Sequence, residues 1–167
     1  MTTSGSAAVT LPADDQILIT REFDAPRHLV YKAFTTPELV KRWWHAKRGE
    51  VTIAEIDLRV GGSWRYLAVT SEGGFEVGFH GEYREIVPNE RIVSTETYEG
   101  LPEGVSEEDG TTVNTATFTE TADGRTTLTI LVQAPSNETR DAIIESGMEA
   151  GMQDALDLLE EVAISLR

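Results

Sequence analysis

The sequence predicts an α+β protein in which a curved antiparallel sheet, with elements in the order β-α-α-β6-α, wraps a long C-terminal helix. Three observations carry that expectation. From Glu50 to Gln133 apolar and polar residues alternate, with punctuation by turn residues. The links between those alternating segments are mostly too short for crossover helices, so successive strands must pair antiparallel. After Pro135 the apolar spacing changes from 2 to about 3.6 and holds to the end.

Residues 1–14 are small, polar and aperiodic, and are expected to form a flexible tail ahead of a single domain spanning 15–167. Gln16–Phe23 alternates as a strand. Asp24-Ala25-Pro26 stops it and starts a helix, because proline suits a first helical turn and Asp24 places negative charge at the positive helix end. Leu29, Val30, Ala33 and Phe34 give that helix an apolar face. Thr36-Pro37-Glu38 opens a second short helix, with Thr36 as its N-cap, ending near Trp44.

Strands are then expected at Glu50–Leu58, Ser63–Thr70, Phe75–Val87, Arg91–Tyr98, Thr112–Glu120 and Arg125–Gln133. The breaks are Gly61-Gly62, Gly73-Gly74, Pro88-Asn89-Glu90 and the hairpin signal Asp123-Gly124. The acidic, glycine-containing stretch from Glu99 to Gly110 is an exposed loop. Finally, Ile144, Met148, Gly151, Met152, Ala155, Leu158, Leu159, Val162 and Leu166 share one face of a helix from about Asn137 to Leu166, opposite Glu145, Glu149, Gln153, Asp157 and Glu160.

A chain of 167 residues buries enough surface to fold without staples, and it has no cysteine for a disulfide, a thiolate or a Cys-based zinc site. Its 29 acidic and 14 basic residues give a net charge of -15, which would repel nucleic acid and anionic membranes. No stretch resembles a signal peptide or a membrane span, so the expected location is cytoplasmic, without membrane insertion. His28, His45 and His80 lack metal-ligand spacing, and no serine sits in a nucleophile-elbow turn. No catalytic residue, metal or cofactor is therefore assigned.

A strongly twisted sheet cannot meet a straight helix along its whole length, which favours an apolar pocket at one end. The order of elements, with Asp24-Ala25-Pro26, Thr36-Pro37-Glu38, Trp43-Trp44, Asp57-Leu58-Arg59-Val60-Gly61-Gly62-Ser63-Trp64, Gly81-Glu82-Tyr83 and Pro88-Asn89-Glu90-Arg91-Ile92-Val93, resembles the START-like helix-grip (SRPBCC) superfamily. Within it the chain is similar to bacterial proteins related to the C-terminal domain of the activator of heat shock protein 90 ATPase. Three positions depart from that pattern: His45-Ala46 stand where the family often has Gly-Pro, and Glu96 and Met152 where it often has tryptophan.

The candidate ligand-binding residues are Trp64, Tyr66, Phe79, Tyr83, Glu96, Phe118, Met148, Met152 and Leu156. If Ile92, Ser94, Glu96 and Tyr98 face inward, Glu96 places a carboxylate in an apolar cavity, where its pKa must rise or a partner such as arginine must meet it; Arg65 is the other polar residue of interest. Gly147 and Gly151 remove side-chain volume from the middle of the final helix, either to leave a pocket or to admit a close strand. Lys41, Arg42, Trp43, Trp44, Lys47 and Arg48 form a candidate protein-interaction surface.

Three functions follow as expectations. The first is binding of a small hydrophobic or amphipathic molecule between sheet and C-terminal helix. The resemblance also implies a stress-response modulator of a chaperone ATPase or another protein partner. Some superfamily members are cyclases, hydrolase-like enzymes or resistance proteins acting on polyketide-like ligands, for which Glu96, His80 or a tyrosine would be the acid or base. A monomer or a homodimer is compatible with an exposed edge strand and the paired tryptophans.

Overall fold

A computed structural model describes residues 7–167. Eight strands form one antiparallel sheet: β1 (Ala8–Thr10), β2 (Gln16–Phe23), β3 (Gly49–Ile56), β4 (Ser63–Thr70), β5 (Glu76–Val87), β6 (Arg91–Tyr98), β7 (Thr111–Glu120) and β8 (Thr126–Gln133). Their order across the sheet is β1-β2-β8-β7-β6-β5-β4-β3. Helices α1 (Arg27–Thr35) and α2 (Pro37–Val40) follow β2, and α3 (Asn137–Glu145) and α4 (Met148–Ser165) close the chain. This is the helix-grip α+β arrangement, and every expected strand is present within one or two residues of its expected ends.

Two expectations need correction. The stretch read as tail contributes β1, whose Val9 pairs with Ile19; Gln153 of α4 holds Ala7 from both sides, accepting from its N–H at 2.9 Å and donating to its carbonyl at 2.8 Å. Residues 1–6 of that tail lie outside the described residues. The single long helix is instead two. Ser146 ends α3, and Gly147 turns the chain with φ +82°, a left-handed conformation disfavoured for any residue with a Cβ. The apolar period runs unbroken across this joint, so periodicity could not reveal it. Helix α4 alone is about 27 Å long at 1.5 Å per residue.

One half of the sheet closes tightly on α1 and α4. Ile17, Phe23, Val30, Val40, Phe118, Leu128 and Leu159 are fully buried there. Phe118 meets Tyr31 and Phe34 edge-on, each at 5.5 Å between ring centroids, and Trp43 stacks on Phe34 at 5.6 Å while its indole N–H donates to the Ala33 carbonyl. Pro26 and Thr36 occupy the N-caps of α1 and α2, but neither side chain makes a capping bond; Pro37 at the first position carries the second start. Ser136 is the residue that caps by side chain, accepting from the Thr139 N–H at 3.1 Å.

Arg21 and Glu160 join β2 to α4 inside this core. Both are 2 % exposed, although period placed Glu160 on the polar face. The Arg21 guanidinium reaches Glu160 at 3.3 Å, Asp157 at 2.9 Å and the Leu156 carbonyl at 3.2 Å, while Glu160 also accepts from the Asp24 N–H at 2.8 Å.

Candidate ligand site on the concave face

Pairing register decides which side chains share the face beneath α3 and α4. Trp64, Tyr66 and Ala68 of β4 stand opposite Gly81, Phe79 and Val77 of β5; Phe79 stands opposite Tyr98 of β6, and Tyr83 opposite Ser94. Glu96 lies between Ser94 and Tyr98 on that face, with Thr112 and Asn114 of β7 opposite Glu96 and Ser94. Ile92, Ser94, Glu96 and Tyr98 thus share this face, the arrangement on which the reading of Glu96 is conditional.

The aromatic members touch in sequence. Trp64 lies 4.8 Å from Tyr66, Tyr66 5.4 Å from Trp44, Trp44 6.0 Å from Phe79, and Phe79 5.1 Å from Tyr98, between ring centroids. Trp64, Tyr66 and Tyr83 are buried, Trp44, Phe79, Met148 and Met152 are half-buried, and Tyr98 stands at the rim, 38 % exposed. Trp44 is held against α4 by its loop: Arg48 and Lys47 pair with Asp154, two residues past Met152, at 2.9 and 3.7 Å.

Glu96 is the charged residue among these rings. Its carboxylate accepts one hydrogen bond, a long 3.4 Å contact from the Asn114 side-chain amide, and no cation pairs with it among the described residues. Burial pushes its pKa up, and the Asn114 bond offsets that only in part. Burial likewise raises Tyr66 well above the usual phenol range, with Tyr83 and Glu96 adding to it, and raises Tyr83. Both phenols therefore stay neutral and able to donate. Asn114 was missed in sequence, yet the parity that sends Phe118 inward sends Asn114 inward too.

Phe118 and Leu156 belong to the closed half of the core, away from the half-buried rings; Leu156 offers its carbonyl to Arg21. A Cβ built at Gly151 would meet no atom within 4 Å, and Gly147 is equally free. A close strand is thus not the reason for either glycine. Space explains Gly151, and the left-handed turn explains Gly147.

Between Gly81-Glu82 and Thr95-Glu96 the regular pairing of β5 and β6 lapses, although the two backbones stay in contact. Thr95 supplies other bonds there: its hydroxyl accepts from the Glu82 N–H at 3.0 Å, and its carbonyl accepts from the Trp64 indole N–H at 3.1 Å. Only glycine fits at 81, since a Cβ would stand 1.8 Å from the Thr95 carbonyl oxygen. On the convex side lies an open groove of about 420 Å³ lined by Glu55, Ser63, Arg65, His80, Glu82, Thr95 and Thr97, with Trp64 and Gly81 at its floor. Arg65 sits here rather than beside Glu96. It pairs with Glu99 through two bonds of 2.9 Å, His80 approaches the same carboxylate at 3.0 Å, and the Arg65 bond holds Glu99 below the usual carboxylate range.

The expected cationic and aromatic surface separates into two. Trp43 is core and Trp44 lines the concave face, leaving Lys41, Arg42, Lys47 and Arg48 outside. His45, which follows them, adopts φ +49°, the left-handed region in which glycine is at ease, and burial followed by Arg48 lowers its pKa. Among the described residues no group of three metal-ligating side chains occurs, and no helix is long and apolar enough to cross a membrane.

Fold and concave aromatic face together define a helix-grip protein. The chain belongs to the family described as Activator of Hsp90 ATPase homolog 1-like protein, which it matches over residues 24–163. Among solved structures it resembles a protein from Rhodobacter sphaeroides, with 23% identity over 95% of this chain and 99% of that one and a TM-score of 0.83. It also resembles a Chromobacterium violaceum protein, with 27% identity, coverage of 89% and 97% and a TM-score of 0.75. DynU16, a protein of the dynemicin biosynthetic locus, shares the fold at 21% identity and a TM-score of 0.64, covering 89% of this chain and 47% of that one. Among curated proteins no match was found.

Proposed function

We propose that the protein binds a small hydrophobic or amphipathic molecule between the concave face of β4–β7 and the helices α3 and α4. The observation that carries this reading is the row of rings Trp44, Phe79 and Tyr98 on the concave face, left half-buried or exposed, with Met148 and Met152 of α4 likewise only half-buried. Gly151 removes a side chain from the N-terminal half of α4, at a cost of about 1 kcal/mol relative to alanine, and a Cβ there would meet no atom within 4 Å. Trp44, Tyr66, Phe79, Met148 and Met152 supply apolar walls, and Glu96, Asn114 and Tyr66 supply the few polar groups that would orient a guest.

The test is a Gly151→Trp variant beside the wild type, titrated with the neutral apolar dye Nile red and screened by thermal shift against apolar and amphipathic metabolites. Saturable binding by the wild type, lost in a folded Gly151→Trp variant, is the expected result. Absence of binding by the wild type, or equal binding by both, would overturn it.

The family description favours a second reading, modulation of a chaperone ATPase, through the cations Lys41, Arg42, Lys47 and Arg48. Measuring the ATPase rate of the cognate chaperone with wild type and with a Lys41→Glu/Arg42→Glu variant decides it; an unchanged rate in the presence of wild type rules it out.

A further inference from the structure

The concave face holds a carboxylate where the fold needs none. Glu96 contributes nothing to the closed half of the core, where Arg21 and Glu160 already satisfy each other. It has one long hydrogen bond and no cationic partner among the described residues. Glu96 is half-buried, and a carboxylate taken partly out of water with so few partners favours the approach of a positive group. Its surroundings suit such a group. Phe79 and Tyr98 lie diagonal to it and two residues along the strand, and Tyr66 is near enough to feel its charge. Aromatic faces carry the negative side of the ring quadrupole and attract cations that have shed water.

The approach to the site has the same sign. Beyond Glu99, which is paired with Arg65 on the convex side, the loop after Tyr98 carries Glu103, Glu107, Glu108 and Asp109 and no basic residue. Its far end is bonded to α3, where Thr139 donates to the Asp109 carbonyl at 2.9 Å, so it borders the space under that helix. The net charge of -15 adds a field that concentrates cations at the surface and repels carboxylate amphiphiles.

We propose that the guest is an organic cation: an alkyl- or arylammonium whose charge rests against Glu96, among Trp44, Tyr66, Phe79 and Tyr98, with its apolar part under α4. This rests on the concave-face binding reading and selects within it. Fatty acids and other anionic amphiphiles are excluded as ligands, since their charge would face Glu96 and the acidic loop.

Three probes of one chain length separate the possibilities: octyltrimethylammonium, octanol and octanoate, each displacing Nile red. The cation should bind at least about tenfold more tightly than octanol, and octanoate most weakly. That preference should persist at 0.5 M salt, where attraction to the outer surface alone is screened over about 4 Å. Glu96→Gln should weaken the cation about tenfold and leave octanol unchanged. Equal binding of cation and alcohol by the wild type would overturn the proposal without help from any variant, as would a preference abolished by salt or untouched by Glu96→Gln. If none of the three displaces the dye and the dye itself fails to bind, the binding reading falls rather than its cationic refinement.

Discussion

Replacing Arg21 by methionine should be among the most damaging single changes in the closed core. The guanidinium and Glu160 are each 2 % exposed, and Arg21 also holds Asp157 and the Leu156 carbonyl while lying over the Phe23 ring at 4.7 Å. Removal takes the Arg21 countercharge away from Glu160, to which the Asp24 N–H still donates at 2.8 Å. Breaking one partner of a buried pair costs about 3–5 kcal/mol. That is a large share of a total stability of about 5–15 kcal/mol, and for a chain of this length it corresponds to a fall of roughly 6–20 °C in Tm. Methionine retains most of the arginine stem's packing, so the loss is electrostatic rather than a cavity. The double variant Arg21→Met/Glu160→Met should regain most of what the single one loses, because well-packed apolar residues substitute for buried ion pairs at little cost. Urea unfolding followed by circular dichroism gives the cycle. A single variant within about 1 kcal/mol of wild type, or a double variant no better than the single, would refute the account.

Gly81→Ala should destabilise by about 1–3 kcal/mol, measured by thermal unfolding, because its Cβ would lie 1.8 Å from the Thr95 carbonyl oxygen and 2.7 Å from the Trp64 indole nitrogen. Gly151→Ala should act oppositely, gaining about 0.5–1 kcal/mol from helix propensity with no contact to disturb, whereas Gly147→Ala at φ +82° should lose about 1–2 kcal/mol. Glu96 should make stability fall with rising pH. Its folded pKa is raised, so the folded state binds the proton more tightly; the benefit is full below the ordinary carboxyl range and is lost as pH rises through the folded value. Urea midpoints for Glu96→Gln should accordingly exceed wild type most at neutral pH and converge with it in acid, and parallel pH profiles would count against this.

Much of this architecture was legible because the hydrophobic pattern reports the face a residue shows. Period two put Glu96 on one face with Ile92 and Ser94 without deciding which way that face points, and the same parity from Phe118 would have found Asn114. What stayed hidden depends on backbone angle or on partners distant in sequence. Gly147 breaks the last helix without disturbing the apolar period, so the joint shows only in the backbone angle. Glu160 reads as a solvated helix residue until Arg21, on a strand more than a hundred residues earlier, is brought against it. Trp43 and Trp44 are neighbours in sequence but serve different halves of the core, one stacked on Phe34 and the other on the concave face.

The lapse in pairing between β5 and β6 links these features. A side chain at position 81 would clash with the Thr95 carbonyl, so glycine lets Trp64 reach across to bond that carbonyl. Trp64 thereby takes over a bond that a neighbouring strand would ordinarily supply, and regular strand pairing lapses at the level of Glu96. With glycine opposite it, Glu96 has no cross-strand side chain to cover it from β5. Its carboxylate is left to Asn114 on one side and to the rings on the other. If that lapse is what keeps the carboxylate available, then Trp64→Phe, which deletes the indole N–H and leaves the Thr95 carbonyl without its donor, should cost about 1–3 kcal/mol in stability and also weaken binding of octyltrimethylammonium. A variant that lost the stability but kept the cation affinity would separate the lapse in pairing from the binding face.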